Sequence, residues 1–367
     1  MVLSPKTGFS GACESVAAKF ADLSQIIGNT PLLSLQLLYK GEPRVIYAKY
    51  EPMNFTGSIK DRMVLRIFQD AYASGALKPG DTIVEATSGN TGIACAAIGC
   101  ALGHPVKILM PNWMSRERVQ LIRCLGAEVV PITREQGGFL GSIRLCEEFA
   151  AHNPHVFLPR QFSNCANISA HYNGTAPEIW AQLEACGLRP DAFVAGVGTG
   201  GTVMGTGKFL RERNPRIAIH PVEPLESPTL STGHKVGEHR IQGISDDFIP
   251  DLIDFTQLNE VISISDGDSI LMAQKIASQL GIGVGISSGC NLLAALRAQD
   301  LLAPSAIVVT VFCDDNKKYL TTDLLGDEPA RPGYLTTEIT MLGFHSYPRC
   351  SSEGSKVTSP AATISSH

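Results

Sequence analysis

The sequence has no CxxC pair, no stretch approaching twenty predominantly apolar residues, no excess of basic charge and no internal repeat. Each absence excludes something. Ten cysteines lie singly along 367 residues, whereas a disulfide scaffold is short and Cys-dense and a zinc site needs clustered ligands. Reduced thiols packed as small hydrophobes are expected instead, with no bound metal and a cytoplasmic location. A membrane helix needs about twenty apolar residues. The opening MVLSPKTGFSGACESVAAKF lacks the continuous apolar run of a secretory signal. Thirty Lys plus Arg against 35 Asp plus Glu give a net charge of -5, which argues against a nucleic-acid partner. What remains is an ordinary globular composition, 44% apolar and 18% charged, long enough for about two domains that each bury a core.

Between Val45 and Val311 two patterns alternate. Short apolar runs such as DTIVEAT, PVKILM, AEVVPI, DAFVAGV, IAIHPVE and SAIVVTVF are predicted as strands buried on both faces. Amphipathic stretches such as DRMVLRIFQDAY, SRERVQLIRCLG and SILMAQKIASQLG are predicted as helices. Ser115 is placed to cap the second helix and Gly126 to end it. The alternation implies an α/β fold of right-handed βαβ units with mainly parallel sheets. The last forty or so residues turn polar and are expected to form a flexible tail.

In such folds chemistry gathers in loops beyond the carboxyl ends of strands, and four loops carry unusual residues. GVGTGG (196–201) matches the GxGxxG fingerprint at Gly196, Gly198 and Gly201, with Glu223 ending the next strand where a ribose-binding acid would stand. It is open to a dinucleotide, to another phosphate held on backbone amides, or to a tight structural turn. GISSG (285–289) matches the nucleophile elbow of hydrolases, but only His345 and His367 follow it. TSGNTG (87–92) places Thr87, Ser88, Asn90 and Thr91 before an Ala-rich helix. Four polar residues and two glycines exceed what one cap requires and suit a carboxylate seat. GSIKDR (57–62) lets Ser58 cap a helix whose first turn holds Lys60, where the positive end of the macrodipole disfavours a cation. The plain reading of Lys60 is a solvated side chain paired with Asp61. The functional one is an amine held ready for Schiff-base chemistry.

Taken in order, these loops resemble the pyridoxal-phosphate enzymes of the cysteine synthase and cystathionine β-synthase family. The resemblance runs from IGNTPL (27–32) to near Leu324. It includes EPMNFTGSIKDR, EATSGNTGIA, LMPNWMSRERVQLIRCLGAEV, QFSNCANISAHYNGTAPEIW, GVGTGGTVMGTGKFL and GISSGCNLLAAL. It implies a fold type II enzyme of two α/β domains with pyridoxal 5'-phosphate in the cleft between them. Residues 1–20 would form an N-terminal arm, and 21–55 with 161–330 a larger domain binding the cofactor phosphate. Residues 56–160 would form a smaller mobile domain carrying the carboxylate loop, and 331–367 a flexible tail.

The resemblance makes Lys60 the Schiff-base lysine and general base, and Asn90 the partner of the cofactor's ring oxygen. Thr87, Ser88, Gly89, Asn90, Thr91 and Gln161 would hold the substrate carboxylate. Gly198, Thr199, Gly200, Gly201 and Thr202 would cradle the phosphate, and Ser287 would face the pyridine nitrogen. The implied reaction is β-replacement on an activated serine through a bound aminoacrylate, with sulfide adding to give cysteine. A different thiol or amine acceptor is the alternative, and a non-catalytic paralogue belongs to another class. A homodimer is implied, with serine acetyltransferase as a candidate partner. The chain departs from the family pattern at Phe55, at Ala176, at Asn316, Lys317 and Lys318, and at Ser245, Asp246 and Asp247 near the second-substrate entrance.

Overall fold

The protein is described here from a computed structural model covering residues 15–349. Its strands are β1 (Leu32–Tyr39), β2 (Glu42–Tyr50), β3 (Thr82–Ala86), β4 (Val106–Pro111), β5 (Glu128–Ile132) and β6 (Val156–Phe157). These are followed by β7 (Ala192–Gly196), β8 (Ala218–Pro224), β9 (Ile262–Ile264), β10 (Val308–Phe312) and β11 (Ile339–Tyr347). The α-helices are α1 (Val16–Ile26), α2 (Lys60–Ser74), α3 (Asn90–Leu102), α4 (Arg116–Cys124), α5 (Gly138–Ala151) and α6 (Ala166–Ala170). Then come α7 (Ala176–Glu184), α8 (Gly201–Arg213), α9 (Thr229–Thr232), α10 (Asp266–Leu280) and α11 (Ile286–Leu302).

Two sheets result. The larger runs β11-β1-β2-β10-β7-β8-β9, parallel from β2 to β9, and the smaller runs β5-β4-β3-β6, parallel throughout. Every residue of β8 and β10 is buried, because helices cover both faces of the sheet. One core lies under α10 and α11, and another under α7 and α8. The smaller sheet is likewise packed between α1–α3 on one side and α5 on the other. The apolar runs were legible as strands for this reason: a strand shielded on both faces keeps no polar alternation.

Two expectations at the chain ends need correction. Residues 16–20 belong to α1, not to an arm. Val16, Phe20, Leu23 and Ile27 recur at helical spacing and pack on the core of the smaller sheet, with Phe20 edge-on to Tyr72 at 5.5 Å. Residues 331–349 are not a loose tail either. β11 pairs antiparallel with β1, and its Ile339 and Met341 are buried. The short apolar run ITMLGF was masked by averaging over the Ser-rich residues behind it. That Ser-rich segment, 350–367, lies outside the described residues.

The eight described cysteines are all unpaired. Cys95, Cys146 and Cys290 are buried as expected, but Cys100, Cys124 and Cys165 are exposed. Among the described residues no helix is long and apolar enough to cross a membrane.

Candidate active site

The carboxyl ends of β3 and β7 face each other across a cleft, and the four loops meet there. Lys60, Thr87, Ser88, Asn90, Thr91 and Gln161 line one cavity together with Gly198, Thr199, Gly200, Thr202 and Ser287. Gly89 and Gly201, neighbours of these lining residues in sequence, are buried. Sequence positions more than two hundred residues apart thus share one space.

Lys60 opens α2. The cap position falls on Ile59 rather than Ser58, whose Oγ accepts instead from the Lys60 N–H at 3.3 Å. The expected pairing with Asp61 is absent. The Asp61 carboxyl is buried and accepts from both the N–H and the hydroxyl of Thr56, leaving the Lys60 ammonium without a hydrogen bond or ion pair among the described residues. The turn before it is clamped. Gly57 has φ of +77°, and a Cβ there would stand 2.6 Å from an Asp315 carboxylate oxygen. The fully buried Lys318 donates to the Gly57 carbonyl at 2.8 Å, which gives a structural role to one departure from the family pattern. The Ile59 N–H adds a bond to the Cys313 carbonyl at 2.9 Å.

The loop after β3 is stitched across the cleft. The Thr91 hydroxyl donates to Gln161 Oε1 at 2.6 Å, and Gln161 Nε2 donates to the Ala86 carbonyl at 2.8 Å. Asn90 Nδ2 donates to Asp314 Oδ2 at 2.7 Å, while Asn90 Oδ1 is buried without a partner. On the facing side Asn167 Nδ2 donates to Thr199 Oγ1 at 2.8 Å and to the Gln161 carbonyl at 2.9 Å. One amide group therefore ties the glycine loop to Gln161, which in turn holds Thr91. Thr202 Oγ1 lies 3.3 Å from Nε2 of the buried His171, whose pKa burial pushes far below its ordinary value.

The glycine loop runs from β7 into α8. Gly200 adopts φ of +86°, and Gly198 packs so closely on the Gly243 carbonyl that a Cβ would stand 2.3 Å from it. The lining cations are Lys60 and Arg118, and neither lies in this loop, so an anion there would be met by amides and hydroxyls at the start of α8. Ser287 is buried in the first turn of α11. Its hydroxyl and the Lys60 charge pull the Cys313 thiol down, but burial dominates and pushes it up to about 12. Cys313 is held as a thiol.

Two readings fall with this geometry. Glu223 accepts from the Leu230 and Ser231 amides and from the hydroxyls of Ser231 and Ser263, so it caps α9 and serves no ribose. No histidine lines the cavity beside Ser287, which removes the hydrolase constellation.

A vestibule of about 500 Å³ leads into the cavity between Trp113, Phe139 and the 235–247 segment. Asp246 borders both spaces, whereas Asp247 borders only the vestibule and pairs with Lys235 at 2.7 Å. Burial first, then the Asp247 charge, raises the Asp246 carboxyl to about 6, against the opposing pull of Lys60. Arg134 reaches Glu238 at 3.3 Å across the vestibule.

The pattern of the family described as pyridoxal-phosphate dependent enzyme spans residues 23–314. The chain belongs to that family. It is similar to a probable cysteine synthase of Bacillus subtilis, to which it is 42% identical over 304 residues. The alignment covers 83% of this chain and 97% of that relative. Among solved structures it is similar to a hydrogen sulfide-producing enzyme of Fusobacterium nucleatum, with TM-score 0.87 and 53% identity over 89% of this chain and 97% of that one. A cysteine synthase of Entamoeba histolytica follows at TM-score 0.77 and 34% identity, covering 92% and 98%. The fold is therefore that of the fold type II pyridoxal-phosphate enzymes.

The residues present fit the family's cofactor. A lysine free of partners, glycines packed too tightly to admit a Cβ and a partnerless buried Asn90 oxygen stand in one cavity. Sequence reasoning did not single out Arg118, Asn167, His171, Cys313 or Asp314. Each lies in a quoted motif or beside one, yet none breaks a local rule that would draw the eye.

A buried acid near the end of β3, just before the Thr87–Thr91 loop, sets a pH dependence of stability. Glu85 accepts from the Ala86 N–H at 3.0 Å through Oε1, and burial raises its pKa to about 8 against the opposing pull of the Ala86, Gln161 and Arg160 backbone amides. The folded state then keeps a proton that the unfolded chain releases above pH about 4.5, so this group lowers stability as pH rises from about 4.5 to about 8. The loss at pH 7 is on the order of 3 kcal/mol. Glu85→Gln should raise the melting temperature by a few degrees at pH 8 and hardly at all near pH 5. Equal shifts at both pH values would refute this origin.

Proposed function

We propose that the chain catalyses β-replacement on an activated L-serine such as O-acetylserine or O-phosphoserine, with sulfide adding to form L-cysteine. The observation that carries this reading is Lys60, a partnerless amine facing both the glycine loop at the start of α8 and the polar loop at the start of α3. Bound pyridoxal phosphate supplies an electron sink for the carbon that bears the substrate's amino group. Gly198 to Thr202 hold its phosphate on backbone amides and hydroxyls. Asn90 meets its ring oxygen, and Ser287 meets its ring nitrogen with a neutral hydroxyl. Such a group does not fix a proton on the ring as a carboxylate would, which favours loss of the β-substituent over racemisation.

Thr87, Ser88, Gly89, Thr91 and Gln161 hold the substrate carboxylate and so fix which bond at Cα is exposed. Lys60 Nζ takes the proton from Cα as general base. The smaller sheet with residues 56–160 closes over the substrate, with the Thr91–Gln161 and Arg134–Glu238 contacts as its fastenings. A cytoplasmic homodimer that engages serine acetyltransferase completes the proposal and rests on likeness alone. The test is a product assay offering sulfide, cysteine and homocysteine against serine, O-acetylserine and O-phosphoserine. Failure to form cysteine from any serine derivative and sulfide would overturn the reading.

Asp246 favours a second reading, in which sulfide leaves or another acceptor enters. With Asp247 paired to Lys235, Asp246 is the carboxylate that faces the cavity, and above pH about 6 its charge repels hydrosulfide and can accept a proton from a neutral nucleophile. One charge at roughly 10 Å is worth on the order of 1 kcal/mol, about fivefold in rate. Asp246→Asn should therefore raise sulfide addition about fivefold relative to cysteine or homocysteine addition at pH 8 and low salt. Below pH 6 wild type should approach the variant. A ratio that ignores both the mutation and pH would remove the electrostatic gate.

A further inference from the structure

Arg118 is the most anomalous charge in the molecule. It projects from α4, its side chain is almost wholly buried, and it lines the active-site cavity. Its Nε and Nη1 are buried without a hydrogen-bond partner, and among the described residues its guanidinium forms no ion pair. Its charged end lies over the Tyr319 ring, 4.7 Å from the centroid. Asp314, a carboxylate of the same cluster, is engaged through Oδ2 by Asn90 and by the Tyr319 hydroxyl at 2.8 Å, and its buried Oδ1 makes no hydrogen bond to the guanidinium. A buried guanidinium whose nitrogens have no acceptor is costly, and a ligand oxygen that reaches them removes that cost.

The position of that ligand oxygen is marked by Gly89. A Cβ on Gly89 would stand 2.3 Å from Arg118 Cδ, 2.5 Å from Nε and 3.2 Å from Cζ. The glycine lets the arginine lie directly against the Thr87–Thr91 loop. That loop also ends at the positive pole of α3, so two independent sources of positive potential converge on it. Other anion-binding chemistry in the cavity, the glycine loop at α8, contains no cation.

We propose that Arg118 is the cationic anchor of the substrate α-carboxylate, acting from beneath the Thr87–Thr91 loop at Gly89. This rests on reading that loop as the carboxylate seat. It adds a charged group to a seat otherwise made of hydroxyls, amides and a helix terminus. It also assigns Gly89 a task that flexibility alone does not require.

The test uses holoenzyme and propionate, a carboxylate with neither amino group nor leaving group. Arg118→Met should weaken propionate binding about 10- to 100-fold, the worth of a charge-assisted hydrogen bond. KM should rise by a similar factor for every amino-acid donor, with kcat and cofactor absorbance within a few-fold of wild type. Without ligand, the variant should melt no lower than wild type, because it loses an unpaired buried charge, while propionate should no longer stabilise it. Unchanged propionate affinity would overturn the proposal. So would a KM increase confined to one donor, which would assign Arg118 to the leaving group. Thr91→Val separates the two readings. If it weakens propionate and Arg118→Met does not, only the anchor fails; if neither does, the seat itself is misplaced. Should the methionine variant not fold, ¹⁵N-arginine-labelled wild type decides: saturating propionate should shift the Arg118 Nε–H resonance, and an unmoved resonance would overturn the anchor.

Discussion

Lys60→Ala should abolish the borohydride-reducible adduct between protein and cofactor and lower turnover by at least about 10³- to 10⁴-fold, the upper range for a lost general base. The size follows from there being no substitute. Lys49 is buried against Glu178, Gln182 and the Thr30 carbonyl. Lys318 is held by Gly57 and Asp315, Lys107 by Glu128, and Lys235 by Asp247 in the vestibule. Lys60 alone among the described lysines lines the inner cavity. The variant should still fold, because the ammonium makes no bond whose loss would leave a partner unsatisfied. Mass spectrometry of the reduced, digested protein checks the assignment. Finding the cofactor on a different lysine would overturn it.

Much of this candidate site was legible in the sequence alone, and what was missed has a common cause. The parallel strands were visible because burial on both faces writes an unbroken apolar run. The loops were visible because glycines and hydroxyl residues crowd beyond what a turn needs. Arg118 was invisible for the opposite reason: RERVQLIR has the charge pattern of an exposed helix face, and only the fold reveals that one of its cations is buried. Asp314 and Asn167 are ordinary polar residues whose importance lies in reaching across more than thirty residues of sequence to Asn90 and Thr199. The acidic pair was visible as a pair, but not its division. Lys235, about ten residues away in a loop with no periodicity, neutralises Asp247 and leaves Asp246 as the cavity's carboxylate. At the chain end, β11 went unseen because six apolar-rich residues were diluted by a polar segment.

Gly200→Val should leave a protein that folds but does not retain pyridoxal phosphate through dialysis. The backbone there has φ of +86°, a conformation that costs a non-glycine residue about 1 kcal/mol or more and a β-branched one most. A Cβ would also stand 2.7 Å from Cδ1 and 3.1 Å from Cγ1 of Ile253. Valine adds two methyl groups to that conflict, so the loop must shift away from the 253 side and towards the space where phosphate is to sit. No lysine or arginine in the loop can compensate, since an anion bound there would be met by amides fixed at the start of α8. Displacing even two charge-assisted bonds, at about 1.5 kcal/mol each, weakens cofactor binding by about two orders of magnitude. Gly200→Ala, which meets the same φ penalty with less bulk, should lose roughly tenfold. The ratio of cofactor absorbance to protein after dialysis measures both, with circular dichroism confirming the fold. Full occupancy in the valine variant would show that phosphate is held elsewhere, and the glycine loop would then be a structural turn.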